Sequence, residues 1–426
     1  MNDPKVRIAR EQRFACILCG RCCRRFQVAL SETDIQTLKA LDWGSDQPGP
    51  VTPVVRIGGH RYLAHTSTGE CVYLDPVSNT CRIHNRFGPA PKPLSCRGYP
   101  LNIVSTYWGE LSVTARMDCP AVRRAGGPRL EEDRAEIERY ARALGIRGGF
   151  DETETGGLSR DAIEILTAVL CDRVLRRPGV RAGTRALAFA VAVRRLEQLG
   201  PAFLGDTATL CEVLPRFMDR AFERAGRLTV RGVNGFSRAV FRMWLATYLR
   251  RDEEMAGTGW RARLRRTLEL ARICAGRGSF GQFGAEHPDT PLAAAAFWRP
   301  VSMATATARS QAAAPPSAEV WDCAWRFWES RLETLQFFGV AYYHQPFFVG
   351  LRALALSYPL MLAAARYHAA ARRAESVSTE DVDYAVGAID HGFGRSPLLQ
   401  KRVWRSVELY FDLPRVARVL AALGWE

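Results

Sequence analysis

Four cysteines fall within eight positions of the stretch FACILCGRCCRRF, residues 14–26: Cys16, Cys19, Cys22 and Cys23. Four more, Cys71, Cys81, Cys96 and Cys119, follow before residue 120. Thiols at such density bridge as disulfides, exchange electrons or bind a soft metal. Adjacent Cα atoms lie about 3.8 Å apart, and a disulfide wants roughly 4.4–6.8 Å, so Cys22 and Cys23 make a poor bridge. As metal ligands the two thiolates can point apart. Were residues 16–23 helical, Cys16, Cys19 and Cys23 would share one face, with Cys22 about 100° away from Cys23. Either Gly20 turns part of the segment into loop, or Cys22 serves a different centre.

Four thiolates suffice for one tetrahedral zinc or one four-iron cluster, and eight can supply two centres. The spacing Cys16-x2-Cys19-x2-Cys22 begins like a bacterial ferredoxin run and departs from it at Cys23. A Cys-Pro step appears only at Cys119–Pro120. Neither the C-x3-C-x2-C spacing nor the two-cysteine, two-histidine pattern of a zinc finger is present. An all-cysteine set that opens on ferredoxin-like spacing favours an iron–sulfur cluster, of the 4Fe-4S type, over zinc. His84, three residues after Cys81, is an added candidate ligand. Arg21, Arg24, Arg25 and Arg97 flank the cysteines and are placed to stabilise thiolates or to form a solvated basic rim.

The surroundings of these residues set the compartment. The N-terminus is charged and lacks the apolar stretch of a signal peptide. No apolar run reaches the roughly 18 residues of a membrane span; the nearest, Ala353–Ala365, contains Pro359 and reads as a buried core helix. A reducing, cytoplasmic location follows as the expectation, and it disfavours stable disulfides. The net charge of +15 comes from 55 Arg and 4 Lys against 44 acidic residues. The excess is dispersed along the chain, which argues against a nucleic-acid partner. Cys171, Cys211, Cys274 and Cys323 stand singly on predicted helices and read as buried small hydrophobes.

The elements that must position the cysteines divide the chain into a Cys-rich module, 1–125, and a helical domain, 126–426. In the first part, Ser31 caps a short helix with Asp34 at its third position, and Ile35, Leu38 and Leu41 form its apolar face. Short strands are expected at Val51–Ile57 and Arg61–Ala64, and a hairpin from Asn102–Tyr107 and Leu111–Ala115 around Trp108–Gly109–Glu110. Residues 85–100 carry four prolines and two glycines and predict little regular structure. After Gly126–Gly127–Pro128, helical periodicity marks Leu130–Leu144, Ser159–Leu175, Thr184–Leu199, Thr207–Ala225, Ser237–Arg250 and Trp260–Ala275. Residues 276–317 read as a long loop. Helices resume at Glu319–Phe337, Phe347–Arg373, Thr379–Asp390, Leu398–Phe411 and Leu413–Leu423. The fold class is mainly α, a Cys-rich irregular and short-strand metal module followed by a multi-helix domain.

The combination FACILCGRCCR, ETDI, then CVYL, CRIH and CRGYP resembles the YkgJ-type CxxCxxCC cysteine-cluster family. That resemblance implies zinc or iron chelation and spans about residues 12–120. This sequence departs from the family pattern at Val72, Tyr73, His84 and Tyr99, and in the longer loop Pro89–Pro93. Most such proteins are short. The long helical extension, with LETLQFFGVAYYHQPFF at 332–348, loosely resembles flagellin lysine-N-methylase, with Glu333 and Phe338 in corresponding places. This second resemblance implies an iron–sulfur-dependent transfer of methyl from S-adenosylmethionine to a protein lysine, hence a protein substrate.

Outside the cysteines the bland readings lead. Trp321, Trp325 and Trp328 recur at helical spacing and predict core packing. Glu333 is a possible buried acid but reads first as a surface i, i+4 ion-pair partner, and Tyr342, Tyr343 and His344 as a weak pocket candidate. Asp390, His391 and Arg395 read as a helix cap or hinge. The favoured function is metal-cluster binding through the eight cysteines, with a lysine-methylase-like enzyme as its sharper form. The alternatives are a zinc-stapled interaction module without catalysis and a redox or electron-transfer protein. No catalytic residue is assigned.

Overall fold

The structure, a computed structural model, describes residues 5–44, 53–57, 59–106, 108–146, 152–228, 232–250, 260–284, 286–292, 318–396, 399–400 and 410–424. The fold is mainly α, and among the described residues the few short strands lie in the Cys-rich part. In chain order the first part comprises β1 (Val6–Ile8), α1 (Arg21–Arg25), α2 (Glu32–Lys39), β2 (Val54–Ile57), β3 (His60–Leu63), β4 (Leu74–Asp75), β5 (Thr80–Cys81), α3 (Arg82–Phe87), α4 (Leu94–Gly98), β6 (Leu101–Ser105), β7 (Leu111–Ala115) and α5 (Pro120–Arg123). The helices that follow are α6 (Arg134–Ala143), α7 (Arg160–Leu170), α8 (Ala182–Leu204), α9 (Thr207–Gly226), α10 (Gly235–Leu249) and α11 (Trp260–Cys274). The last four are α12 (Asp322–Glu333), α13 (Phe347–Ala371), α14 (Thr379–Gly392) and α15 (Leu413–Leu423).

Local chemistry explains the elements that matter to the site. Ser31 and Asp34 form a reciprocal capping box at the start of α2, with Asp34 N–H donating to Ser31 Oγ at 3.1 Å and Ser31 N–H to Asp34 Oδ2 at 2.9 Å. The other Asp34 oxygen accepts from Leu94 N–H at 2.9 Å, so the same carboxylate fixes the entry to α4. The predicted hairpin is present as β6–β7, paired from Leu101↔Ala115 to Ser105↔Leu111. A third strand, β1, adds in parallel to β7, a pairing the charged N-terminal sequence does not announce. The proline-rich stretch 85–100 is more regular than its composition suggests. α3 runs into it, and α4 begins directly after Pro93, because Pro ahead of a first turn gives up no needed N–H.

Two apolar cores result. The smaller gathers Leu30, Ile35, Leu38, Trp43, Leu63, Cys71, Tyr73 and Ile83. The larger runs from β1 and β7 through the helices to α15. Trp321, Trp325 and Trp328 are buried in it as expected, and Trp328 Nε1 donates to Ser357 Oγ at 2.8 Å. α13 is long and apolar enough by composition to cross a membrane, and 83% of its most apolar window is buried inside the protein. The expected buried core helix at Ala353–Ala365 is therefore present. Residues 293–317 of the expected long loop, and most of the expected helix Leu398–Phe411, lie outside the described residues.

Candidate metal centre

All twelve cysteines are free. Residues 14–20 are loop and α1 starts only at Arg21, so the loop alternative for the CxxCxxCC run is the one observed. Gly20 makes the turn at φ +63°, and a Cβ there would come within 2.5 Å of Arg24 Nη1. Arg24 in turn donates to Cys19 O at 3.4 Å, to Asn79 Oδ1 at 2.6 Å and to Glu70 Oε1 at 2.7 Å. The guanidinium thus ties the Cys-bearing turn to the segments that carry Cys71 and Cys81, and is occupied in doing so. The side chain of Arg25 lies outside what the structure describes.

Five of the eight thiols come together from four places in the chain. Cys22 and Cys23 lie on α1, Cys71 precedes β4, Cys81 ends β5 and caps α3, and Cys96 sits in α4. The Cys22 and Cys23 sulfurs are 3.9 Å apart. The Cys23 thiol lies within electrostatic reach of Cys22, Cys71 and Cys81, and the Cys96 thiol within reach of Cys71, Cys81 and Cys22. The Cys23 thiol donates to Cys22 sulfur and, against burial and with help from Lys92, brings Cys22 down to about 6. The same hydrogen bond, with burial, pushes Cys23 up. Burial raises Cys71 to about 11 and Cys96 to about 12. Among the described residues, no three His, Cys, Asp or Glu side chains already stand in position to hold a metal ion.

The remaining cysteines are placed differently. The Cys119 thiol, buried at the start of α5, lies within electrostatic reach of Cys19. Cys16 is exposed in the loop. His84 is exposed on α3. Of the four later cysteines, Cys171 and Cys323 are buried as expected, whereas Cys211 is exposed and Cys274 only half-buried. Their helices present them at the rim rather than the centre of the apolar face, a difference of one position that periodicity resolves poorly.

A buried polar network joins this region to the helices. Asp118, beside Cys119, pairs with Arg116, accepts from Tyr99 Oη at 3.3 Å, and faces His391 Nδ1 at 3.2 Å. Burial would raise the Asp118 carboxyl, but Arg116, His391 and Arg395 hold it well below the usual carboxylate range. The Asp118 N–H donates to Asp390 Oδ2 at 3.2 Å, and Asp390 pairs with Arg331 and Arg395. Phe26, just past α1, packs on Tyr99 with ring centroids 4.9 Å apart and stacks on His391 at 6.3 Å. Arg395 donates to the carbonyls of His391 and Asp390, the cap expected at this helix end, and the three residues also form a buried electrostatic joint. Their long-range partners Arg116, Asp118 and Arg331 were invisible because sequence spacing carries no tertiary information. Glu333 is an ion-pair partner, of Arg176 at 2.8 Å, but the pair spans 157 residues and the Glu333 side chain is largely buried, so it is not the surface i, i+4 pair expected.

Between the two parts opens a cleft of about 540 Å3, lined by Cys19, Arg21, Arg123, Glu286, His368 and Tyr384 among others. His368 donates from Nδ1 to Asp381 Oδ1 at 2.7 Å and stacks on Tyr384, centroids 4.4 Å apart. Neither residue drew attention in the sequence, because a lone His on a core helix has no distinguishing neighbours there.

No curated protein and no solved structure matches the chain, so the lysine-methylase resemblance gains no support from these comparisons. One family comparison does match: over residues 15–119, the stretch that holds the five converging thiols, the chain fits the CxxCxxCC family, described as a "putative zinc- or iron-chelating domain".

Proposed function

We propose that the Cys-rich part chelates a metal centre through Cys22, Cys23, Cys71, Cys81 and Cys96, with iron–sulfur as its form. The observation that carries this reading is the convergence of five thiols from separated segments in one neighbourhood, with no bridge among them. The donor set fits a soft or borderline metal: thiolate ligands suit zinc and iron–sulfur clusters and not magnesium or calcium. A bound cation would offset the burial that raises the Cys71 and Cys96 thiols and favour their thiolate forms. Cys19 and Cys119, with Cys16 nearby in the loop, are the thiols left for a second centre or for exchange.

The test is purification without oxygen, followed by the visible spectrum and by iron, sulfide and zinc content. Matched iron and sulfide with brown colour support the cluster. A colourless protein with stoichiometric zinc keeps the chelating reading and replaces iron–sulfur with a zinc staple. Absence of both metals sinks the reading.

A second, sharper reading is transfer of methyl from S-adenosylmethionine to a lysine of a protein substrate. One observation favours it: the cleft where the Cys-rich part meets the helices has Cys19 on one wall and His368 on the other. Calorimetric titration of the metal-loaded protein with S-adenosylmethionine tests it, and an absence of binding heat at millimolar donor removes it.

A further inference from the structure

His65 lies in no cysteine motif, and the backbone places it beside one. Thr66 N–H donates to Glu70 O at 2.7 Å, and Val72 N–H donates to Ala64 O at 3.1 Å. These two bonds bracket His65 and Cys71, which pair antiparallel across the turn. Such a non-hydrogen-bonded pair holds its Cα atoms about 4.5 Å apart and sends both side chains to the same face. Cys71 N–H points the other way along the backbone and donates to Cys23 O at 2.8 Å, fastening the turn to α1. The Cys71 thiol lies within reach of Cys81 and Cys22. His65 therefore shares its face with a member of the converging thiol set.

One ring nitrogen is placed to bind. Nε2 is buried and has no hydrogen-bond partner among the described residues. A buried polar nitrogen left unpaired is costly. The Phe26 backbone carbonyl lies near the imidazole and acts on it electrostatically. Metal-bound histidines characteristically donate their other ring N–H to a carbonyl or carboxylate, which fixes tautomer and aim, and the Phe26 carbonyl would take that role at Nδ1.

We propose that His65 Nε2 ligates the same metal as the Cys71 thiolate, making the centre a mixed thiolate–imidazole site. This rests on the chelating reading above and holds for either metal. Replacing one thiolate by a neutral imidazole reduces the negative charge around the ion. In an iron–sulfur centre it raises the reduction potential. In zinc it gives a sulfur-and-nitrogen shell.

The experiment is X-ray absorption at the metal K-edge of the full-length protein purified without oxygen, with metal content measured on the same sample. The expected first shell contains sulfur at about 2.3 Å and a nitrogen near 2.0–2.1 Å with imidazole scattering. His65→Cys is expected to keep the metal and lose the imidazole signal, and His65→Ala to lose metal to a chelator at least tenfold faster. Should His65→Ala fail to fold, His65→Cys still decides. His84→Ala leaves the signal unchanged. A metal-loaded wild type with an all-sulfur shell overturns the assignment while leaving chelation intact, as does an imidazole signal that survives in His65→Cys. A protein without metal overturns the chelating reading itself, and the His65 assignment with it.

Discussion

The two apolar cores are held by different means. The larger one buries the aromatic and aliphatic faces of long helices, and α13 alone contributes Leu351, Leu354, Tyr358, Leu362 and Tyr367. Burial of that kind stabilises at roughly 25 cal/mol per Å2 and needs no cofactor. The smaller core has eight buried members, one of them a cysteine, wrapped in short strands and short helices. A core of that size is marginal on burial alone, and small natural folds in that position rely on cross-links or metals. Its thiols take that role in our reading. On that reading the hydrophobic effect and metal coordination divide the labour within one chain, with the Asp118–Asp390 network at the seam.

The largest effect should come from removing the metal. Chelation is expected to cost the amides of Leu63, Ala64 and Val72 on the order of a hundredfold in hydrogen-exchange protection, while the amides of α13 keep theirs. Equal loss in both regions would break the comparison. Next is the seam. Asp390→Asn leaves Arg331 and Arg395 buried without their carboxylate and should cost about 3–5 kcal/mol in urea unfolding. A loss below about 1 kcal/mol would mean that water reaches the joint.

Core truncations sharpen the contrast. Leu362→Ala in α13 should cost roughly 2–5 kcal/mol of global stability. Leu63→Ala should leave the global unfolding midpoint nearly unchanged and weaken metal retention instead, measured as the rate of metal loss to a chelator. A large midpoint shift for Leu63→Ala would merge the two cores into one cooperative unit.

The smallest expected effect is at Asp381, where capping, Arg372 and His368 share one carboxylate. Ser378 N–H donates to Asp381 Oδ2 at 2.8 Å and Arg372 Nη2 to the same oxygen at 2.7 Å. Burial pushes this carboxyl up, and the Arg372 and His368 bonds outweigh it and hold it below the usual range. A carboxyl depressed on folding stabilises fully above its unfolded value, about 3.9, and that contribution is lost as pH falls through the lower folded value. Asp381→Asn should therefore cost about 1–3 kcal/mol at neutral pH. The gap to the wild type should close below about pH 4, and a constant gap down to pH 3 would show that the charge contributes nothing.

Much of this architecture was legible from short-range signals. The Ser31–Asp34 box, the β6–β7 hairpin and the helices of the second part each depend on residues close in sequence, where capping, turn chemistry and periodicity act. The fit of Trp321, Trp325 and Trp328 to the core follows from the same 3.6-residue period. What escaped depends on pairs distant in sequence. β1 finds β7 across about 100 residues. Cys96 approaches Cys22 only because Asp34 pins the entry to α4. Arg331 and Asp390 meet between two helices whose surface patterns do not record the contact. His65 looked like one of seven scattered histidines until its partner across the turn was known.

The joint at Asp390 also bears on how such a chain can be assembled or taken apart. Arg331 on α12 bonds Asp390 and Gln336, and Gln336 Nε2 donates to Ser112 O at 3.0 Å and Asn102 O at 3.2 Å in β7 and β6. The Cys-bearing segment is thus grafted onto its helices through matched charges and amides, not strung beside them like a bead. A transplanted copy of residues 15–119 would arrive with Asp118 and Arg116 facing a host that lacks their counterparts. Recombination between relatives should succeed only where the donor segment travels together with its own α12 and α14.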